Sequence, residues 1–468
     1  MALRLRVRHP EVVKETNNLS REELLQLLRE QQREIERLKN ENERLKKKLS
    51  AAPFAKGTPK KNPKRPGRKP GQGRFARRPA PSQGAPAESV RVPVEEPCCP
   101  FCGGPWGAPE DELVSNTDLP VQPPLEVQTF LVEKRCCQRC ARTVRGRHPG
   151  VAADQYGATA HRVGARAKAV AHTMHYGMGV PQRKVPRMMK ERSGLEITQG
   201  ALSQDAQKQT GGVVGAAYQQ LRAAIPQAPV VNTDDTGWRV GGQAAHLMVF
   251  TTPEITVYQV RPQHRNEEVR EVIGDDFQGI LGCDRGKSYD AKALDRVKQQ
   301  KCFSHLIRNT QEVEPHQSGR ALQFPRQLRE LLRQGLVLAH RRPELEDQQF
   351  QQEVAELDQA LDDLLLDRTL RNRDNQKLLD GIGAQQDRHN LLRFLSDPRV
   401  EPTNNRAERA LRPAVIRRKV SQCSKTDSGA RAFEAFLSVL QTYKQRSPGN
   451  VSQALFNLFT TSGPAPPS

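Results

Sequence analysis

Residues 228–240 read APVVNTDDTGWRV, and residues 279–284 read GILGCD. The first stretch begins apolar and reaches two carboxylates, Asp234 and Asp235, just before Thr236-Gly237. That pattern predicts a buried strand delivering its acids to a turn. The second is a short apolar run ending in Asp284, again a buried strand with an acid at its end. Between them, HLMVFTT (246–252) and ITVYQV (255–260) are rich in β-branched and aromatic residues and predict two more strands. NEEVREVIGDD (266–276) predicts a helix, and KALDRVKQQKCFSHLIRNTQE (292–312) predicts another.

Three strands, a helix, a fourth strand and a helix is the order found in ribonuclease-H-like domains. There the first and fourth strands lie side by side, so Asp234 and Asp284 would meet at one site. Attack of a hydroxyl on a phosphodiester needs a deprotonated nucleophile and a stabilised leaving oxygen. Two divalent ions roughly 4 Å apart supply both when carboxylates hold them. Mg²⁺ and Mn²⁺ take hard oxygen ligands, so the expected cofactor is a pair of these ions on Asp234, Asp284 and a third carboxylate.

Glu408 is the candidate for that third ligand. It lies in EPTNNRAERALRPAVIRRKVSQCSKT (401–426), where Pro402, Thr403 and Asn404 mark the start of a helix. Arg406, Arg409, Arg412, Arg417, Arg418 and Lys419 surround it. One acid among many cations suits a site that binds a metal and DNA phosphates together, although a plain salt-bridge partner has the same local pattern. Between Asp284 and this helix, residues 319–399 carry helical text and predict an inserted helical subdomain. His305 and Arg308 share one helix face at a spacing of three and could approach phosphates. Trp238 is expected in the core rather than on a base.

The bulk numbers agree with a nucleic-acid partner. The chain has 468 residues, which suggests two to four domains, and a formal charge of +21. Such a cationic excess favours a polyanion, because every phosphate neutralised releases counterions. No apolar run approaches the roughly 20 residues that span a bilayer, and no secretory signal is legible, so the expectation is a cytoplasmic protein, nucleoid-associated when on DNA, without a membrane partner. In a reducing compartment clustered cysteines more often hold metal than form disulfides.

Upstream, Leu28, Ile35, Asn42 and Leu49 repeat every seven residues, as do Leu24, Gln31, Leu38 and Leu45. These fill the a and d positions of a zipper over 19–50, started by Ser20 and Glu23 at capping-box spacing, and predict self-association as a homodimer or higher oligomer. Residues 51–97 form a Pro/Gly-rich linker with ten basic residues between Lys56 and Arg78. Arg65, Arg68 and Lys69 are its candidates for a minor groove. In 98–150, Cys99-x-x-Cys102 and Cys137-x-x-Cys140 are two knuckles that can complete one closed tetrahedral site, which predicts one structural Zn²⁺ in a zinc ribbon, with Cys98 and Cys136 as neighbouring substitutes. Residues 155–225 predict a helical region with turns at Gly177, Gly179 and Gly194, its second short helix capped by Thr198. That pair is either a DNA-reading helix-turn-helix or an ordinary packed hairpin.

The segments NTDDTGW, CDRGKSYDA, KCFSHLIRN and EPTNNRAERALRPAVIRRK resemble the successive motifs of transposases of insertion-sequence family 66. The zipper, the PGRKPGQ tether, the double knuckle and the helical region fall in that family's order, so the resemblance spans nearly the whole chain. It implies a multidomain α/β protein: coiled coil, zinc ribbon, helical DNA-binding region, and a ribonuclease-H-like catalytic domain (228–318 and 400–445) with the helical insertion 319–399, then a C-terminal segment 446–468. It also implies a DDE triad at Asp234, Asp284 and Glu408, with element ends and target DNA as substrates and accessory proteins of the same element as further partners. The chain departs from the family in three places. Asp235 stands where Glu is usual, which makes Asp235 the second choice for the first ligand. Arg285-Gly286 replaces Gly-Tyr after the second acid, and Phe303 replaces Trp after Cys302. None removes a carboxylate. The competing reading is a DNA-binding protein without catalysis, a repressor or an inactive remnant.

Overall fold

The computed structural model describes residues 21–50, 94–95, 97–98, 100–108, 125–127, 129–146, 148, 163–366, 368–447 and 449–460. The tether with Arg65, Arg68 and Lys69, the knuckle residue Cys99 and the cap Ser20 lie outside them. The chain divides into two compact units, Met1–Pro120 and Val121–Ser468.

The first unit contains one long helix, α1 (Arg21–Ser50). Ile35 and Leu38, on its heptad stripe, are about half exposed in the single chain.

The second unit opens with a small antiparallel hairpin, β1 (Lys134–Cys136) and β2 (Thr143–Arg145), in which Cys136 pairs with Thr143. Cys137 and Cys140 sit in its tip. Backbone amides, that of Cys140 foremost and then that of Arg139, hold the Cys137 thiol below its ordinary pKa.

Helices α2 (Ala165–His172), α3 (Val185–Ser193), α4 (Gln199–Thr210) and α5 (Val213–Ala224) follow. A π-turn over Thr173–Gly177 extends α2. Gly194 ends α3 in the left-handed region at φ 72°, and Thr198 caps α4 by accepting from Ala201 N at 3.1 Å, as its sequence predicts. Inside this layer Asp205 of α4 takes Lys168 Nζ at 3.0 Å and His172 Nε2 at 2.7 Å, all three buried. Desolvation pushes the Asp205 carboxyl up, but His172 and Lys168 overcome it and lower it to about 2.

A five-stranded mixed sheet forms the centre: β3 (Val230–Val240), β4 (Gln243–Thr251), β5 (Thr256–Arg261), β6 (Ile280–Cys283) and β7 (Lys298–Lys301), in the order β5-β4-β3-β6-β7. The β3–β4 and β4–β5 pairs are antiparallel, and the β3–β6 and β6–β7 pairs are parallel. Helix α6 (Asn266–Ile273) links β5 to β6. Two expectations need correction here. Thr236-Gly237 is not a turn, because β3 stays paired with β4 to Val240, and Gly241-Gly242, with φ of 57° and 86°, make the hairpin. Residues 298–301 are not helix but the fifth strand. Gln299, Gln300 and Lys301 are buried, and each finds a partner there: Tyr289 O at 2.8 Å, Leu391 O at 2.7 Å and Asp290 Oδ1 at 2.8 Å. A polar run hides a buried strand because every polar end is satisfied.

Helix α7 (Phe303–Val313) leads into α8 (Gln323–Arg341), α9 (Asp347–Leu365), α10 (Arg373–Asp387) and the short α11 (Arg393–Ser396). Their apolar faces share a second core with Phe303, Leu306, Val230 and Ile280, so the inserted helices pack on the sheet. Finally α12 (Asn405–Ser421) and α13 (Asp427–Arg446) cover the sheet, and α14 (Val451–Thr460) returns to α2. Trp238 is fully buried, stacked on Phe433 at 5.0 Å with Nε1 donating to Ser424 Oγ, the core role expected of it.

Candidate active site

Side chains alternate along a strand, so Asp234 and Asp235 point to opposite faces of the sheet. Asp234 shares its face with Asn232, Thr236 and Trp238, whose partners are Asn404, Arg418 and Phe433. That is the face covered by α12 and α13. Asp235 points the other way, to His246 and His264.

Asp284 follows the last residue of β6. The parallel register pairs Asn232 with Gly282, which brings the end of β6 beside the Asp234 stretch of β3. Gly282 leaves room for the Asn232 side chain, since a Cβ there would lie 2.5 Å from Asn232 Nδ2. Asp284 Oδ1 accepts from Gly286 N at 2.8 Å, and Asp234 Oδ1 accepts from Asp235 N at 2.9 Å. Burial, then the charges of Asp284 and Asp235, push the Asp234 carboxyl up to about 7.

Glu408 stands in the first turn of α12. Asn404, buried just before that helix, donates Nδ2 to Thr233 O at 2.7 Å and accepts from Asn232 Nδ2 at 3.2 Å. Its backbone N–H points to Cys302 Sγ at 3.1 Å. The start of α12 is thereby fixed beside β3, next to Asp234. Glu408 Oε1 lies 3.9 Å from His305 Nδ1, and ligand atoms of Cys302, His305 and Glu408 fall within 4.8 Å of one another. The His305 pKa is raised, first by the Cys302 side chain and further by Asp284, against desolvation and the Arg308 charge. His305 also draws down the Asp234 carboxyl, so His305 connects electrostatically with all three acids.

The cations of α12 divide by burial. Arg409, Arg412 and Lys419 are exposed. Arg406 pairs with Glu401 at 2.6 Å. Arg418 donates to Thr236 Oγ1 at 2.8 Å and to Gly237 O, and is committed to β3. Arg417 is a correction: it is buried and offers nothing to a phosphate. Its guanidinium lies 4.6 Å from the Phe433 ring centre and 5.7 Å from that of Tyr176, and donates to His175 Nε2 at 2.9 Å. His175 accepts there while its Nδ1 donates to Val180 O at 2.8 Å, the neutral tautomer. Burial, then the Arg417 charge, lowers its pKa to about 3, consistent with that form.

The insertion reaches the Asp284 loop. Gly381 of α10 lets Arg285 approach so closely that a Cβ would lie 2.5 Å from Arg285 Nη2. Gln385 donates to Asp290 Oδ1 at 3.2 Å, the carboxylate that also holds Lys301. These contacts, and the Asn232–Asn404 pair, carried no signal in isolated motifs beyond the doubled Asn ahead of the basic helix.

Residues 161–432 match the family model described as Transposase IS66 family. The chain belongs to this family. Its matched segment runs from just before α2 into α13 and so contains Asp234, Asp284 and Glu408. The IS66 transposase family implies a transposase-type enzyme that acts on DNA and uses divalent metal. No curated protein matches the chain. Among the described residues, no helix of this IS66-family chain is long and apolar enough to cross a membrane.

Proposed function

We propose that this IS66-family protein cuts DNA at the ends of a mobile element and transfers the freed 3′ ends into target DNA, using Asp234, Asp284 and Glu408 as a DDE triad in a ribonuclease-H-like domain. The observation that carries the reading is the pair of carboxylates on adjacent parallel strands, Asp234 midway along β3 and Asp284 just past the end of β6, the first of them forced up to about 7 by burial and its neighbours. Such a pair is short of a counter-charge, which fits hard divalent cations such as Mg²⁺ or Mn²⁺. The strand order third-second-first-fourth-fifth, with only the second strand reversed, supports the ribonuclease-H-like assignment. The facing of Asp234 toward α12 supports Asp234 over Asp235 as first ligand.

Two bound ions would activate the attacking hydroxyl and stabilise the leaving oxygen. The protein's own residues supply the frame. Backbone amides of Asp235 and Gly286 each fix one carboxylate oxygen, leaving the other for a ligand role. Asn404 sets the start of α12 and so aims Glu408. Arg409, Arg412 and Lys419 would bind phosphates along the exposed side of α12, and His305 would offer a further cation beside the triad. Outside the described contacts, the reading extends to zinc on the two knuckles, phosphate contacts from Arg65, Arg68 and Lys69, and pairing of two chains through α1, whose half-exposed Ile35 and Leu38 suit a partner helix.

The test is Mg²⁺-dependent nicking and strand transfer on DNA flanking the gene, comparing wild type with Glu408→Gln. The substitution keeps size and hydrogen bonding but removes the charge. A variant that binds DNA but neither cuts nor joins is the expected result; a variant as active as wild type overturns the triad. Wild-type binding without cutting would favour a DNA-binding protein without catalysis.

A further inference from the structure

On the sheet face opposite Asp234, Asp235 of β3 is gripped by two imidazoles. His246 Nδ1 of β4 lies 2.9 Å from one carboxylate oxygen, and His264 Nδ1, from the segment after β5, lies 3.1 Å from the other. Ligand atoms of the three residues all fall within 4.8 Å of one another. We propose that Asp235, His246 and His264 form a binding site for a divalent transition ion of the Zn²⁺ class, separate from the triad, which fixes the segments carrying Asp234 and Asp284.

The three side chains converge on one point from three segments. Ligand bonds of about 2.0–2.2 Å in tetrahedral array put neighbouring ligand atoms roughly 3.3 Å apart, so each Asp–His contact opens by a few tenths of an ångström while the two nitrogens, within 4.8 Å of one another, draw in around the ion. Two neutral nitrogens and one carboxylate select Zn²⁺, Mn²⁺ or Fe²⁺ over Mg²⁺ or Ca²⁺, which prefer all-oxygen shells. Three protein ligands leave a further position, and His246, with a side chain 40% exposed, opens it to solvent. The His264 side chain is only 10% exposed, and its Nε2 is buried without a hydrogen-bond partner. No hydrogen bond at Nε2 fixes the tautomer of that ring, so Nδ1, which faces the carboxylate, can present a lone pair.

The location gives the ion its role. Asp235 is adjacent to Asp234. The backbone of His264 accepts from Ser288 Oγ at 2.7 Å, and its ring meets Tyr289 edge-on at 5.4 Å, so His264 is tied to the loop that follows Asp284. An ion here joins β3, β4 and the Asp284 loop from behind. This positioning role rests on the triad reading above; the ion site itself does not.

The experiment counts Zn²⁺ held by the metal-stripped full chain after titration against a chelator, in wild type and in His246→Gln, His264→Gln, His246→Cys and Asp284→Asn. Wild type is expected to hold one Zn²⁺ more per chain than either Gln variant, whose affinity at this position falls at least about 100-fold. His246→Cys keeps the ion, since thiolate is a zinc ligand, and does so although the Asp–His pair is broken. Asp284→Asn keeps it too. Equal zinc in wild type and both Gln variants overturns the proposal. So does loss in Asp284→Asn with retention in His246→Gln, which would assign the ion to the triad. If His264→Gln does not fold, the half-exposed His246 and its Cys rescue still decide the matter. Zinc on the cysteine knuckles is unchanged across the set, and nicking activity is not the readout.

Discussion

The Asp234 carboxyl should make the metal-free protein less stable as pH rises, and Asp234→Asn should remove that penalty. Its pKa stands at about 7 in the folded chain against an ordinary 3.8, raised by burial first and then by Asp284 and Asp235. The folded state therefore holds the proton more tightly than the unfolded state. Below about pH 4 both states are protonated and nothing is lost; between about pH 4 and 7 stability falls; above 7 the full penalty is present. Three units at about 1.4 kcal/mol each give a ceiling of about 4 kcal/mol. Asp234 is partly open to solvent, which screens the repulsion, so about 2 kcal/mol is the working figure. In a thermal melt of the full chain in EDTA at pH 8, Asp234→Asn should unfold roughly 4 °C above wild type, and at pH 4 the two should coincide. Saturating Mg²⁺ should raise wild type toward the variant and leave the variant nearly unmoved. Only about a tenth of Asp234 is ionised at pH 6, so the apparent Mg²⁺ affinity should be about tenfold weaker there than at pH 8. A variant no more stable than wild type at pH 8, or equally stabilised by Mg²⁺, would refute the argument that burial and the neighbouring acids disfavour the Asp234 charge until a cation arrives.

Three other perturbations separate structural from functional residues. Asp205→Asn removes the acid that faces Lys168 and His172; with its pKa depressed to about 2, Asp205 should contribute about 2–3 kcal/mol above pH 4, lost as pH falls toward 2, measured as the wild-type minus variant difference in urea at pH 7 and pH 2.5. Arg417→Ala empties the space between Phe433 and Tyr176 and should cost about 2–4 kcal/mol in denaturation, whereas Arg412→Ala and Lys419→Ala should leave stability within about 0.5 kcal/mol and each lower the salt slope of DNA binding by about 1. Gly381→Ala presses on Arg285 and should lower nicking severalfold while DNA affinity holds; unchanged nicking would show that the insertion does not steer the Asp284 loop.

Much of the fold around the candidate site was legible because its signals are local. A buried strand that ends in an acid is written in six letters, and strands β3 to β6, the Gly194 turn and the Thr198 cap follow from residue types with strong backbone preferences. What was not legible depends on partners far away in sequence. KQQK carries no apolar residue, so its identity as β7 exists only once Tyr289, Leu391 and Asp290 surround it. Thr236-Gly237 looks like a turn until β4 pairs along it and Gly241-Gly242 takes the left-handed positions. Arg417 and Arg418 are indistinguishable from Arg412 in a string of cations, and only the helical phase against β3 and α13 sends them inward. The two acids at 234 and 235 were ambiguous for the same reason, since register on a strand is decided by what covers each face.

The helix that carries Glu408 packs Ala407, Leu411 and Ala414 into the core, and polar groups hold it at both ends. At its start Asn404 binds Thr233 and Asn232 beside Asp234. Toward its end Arg417 is enclosed by Phe433, Tyr176 and a neutral His175, and no carboxylate is among the partners that hold it. A buried cation held this way is expensive, because ring faces offset only part of its lost hydration. The same volume filled by Met would be cheaper for stability alone. What the arginine adds is a directional link: it joins α12 to the π-turn that ends α2, in the helix layer placed before the central sheet. A shift of that layer, such as one imposed by bound DNA, would act on the α12 helix that presents Glu408. If that link matters for catalysis, Arg417→Met should keep or raise the melting temperature while slowing strand cleavage; a variant that is stable and fully active would mean that the cation serves packing alone.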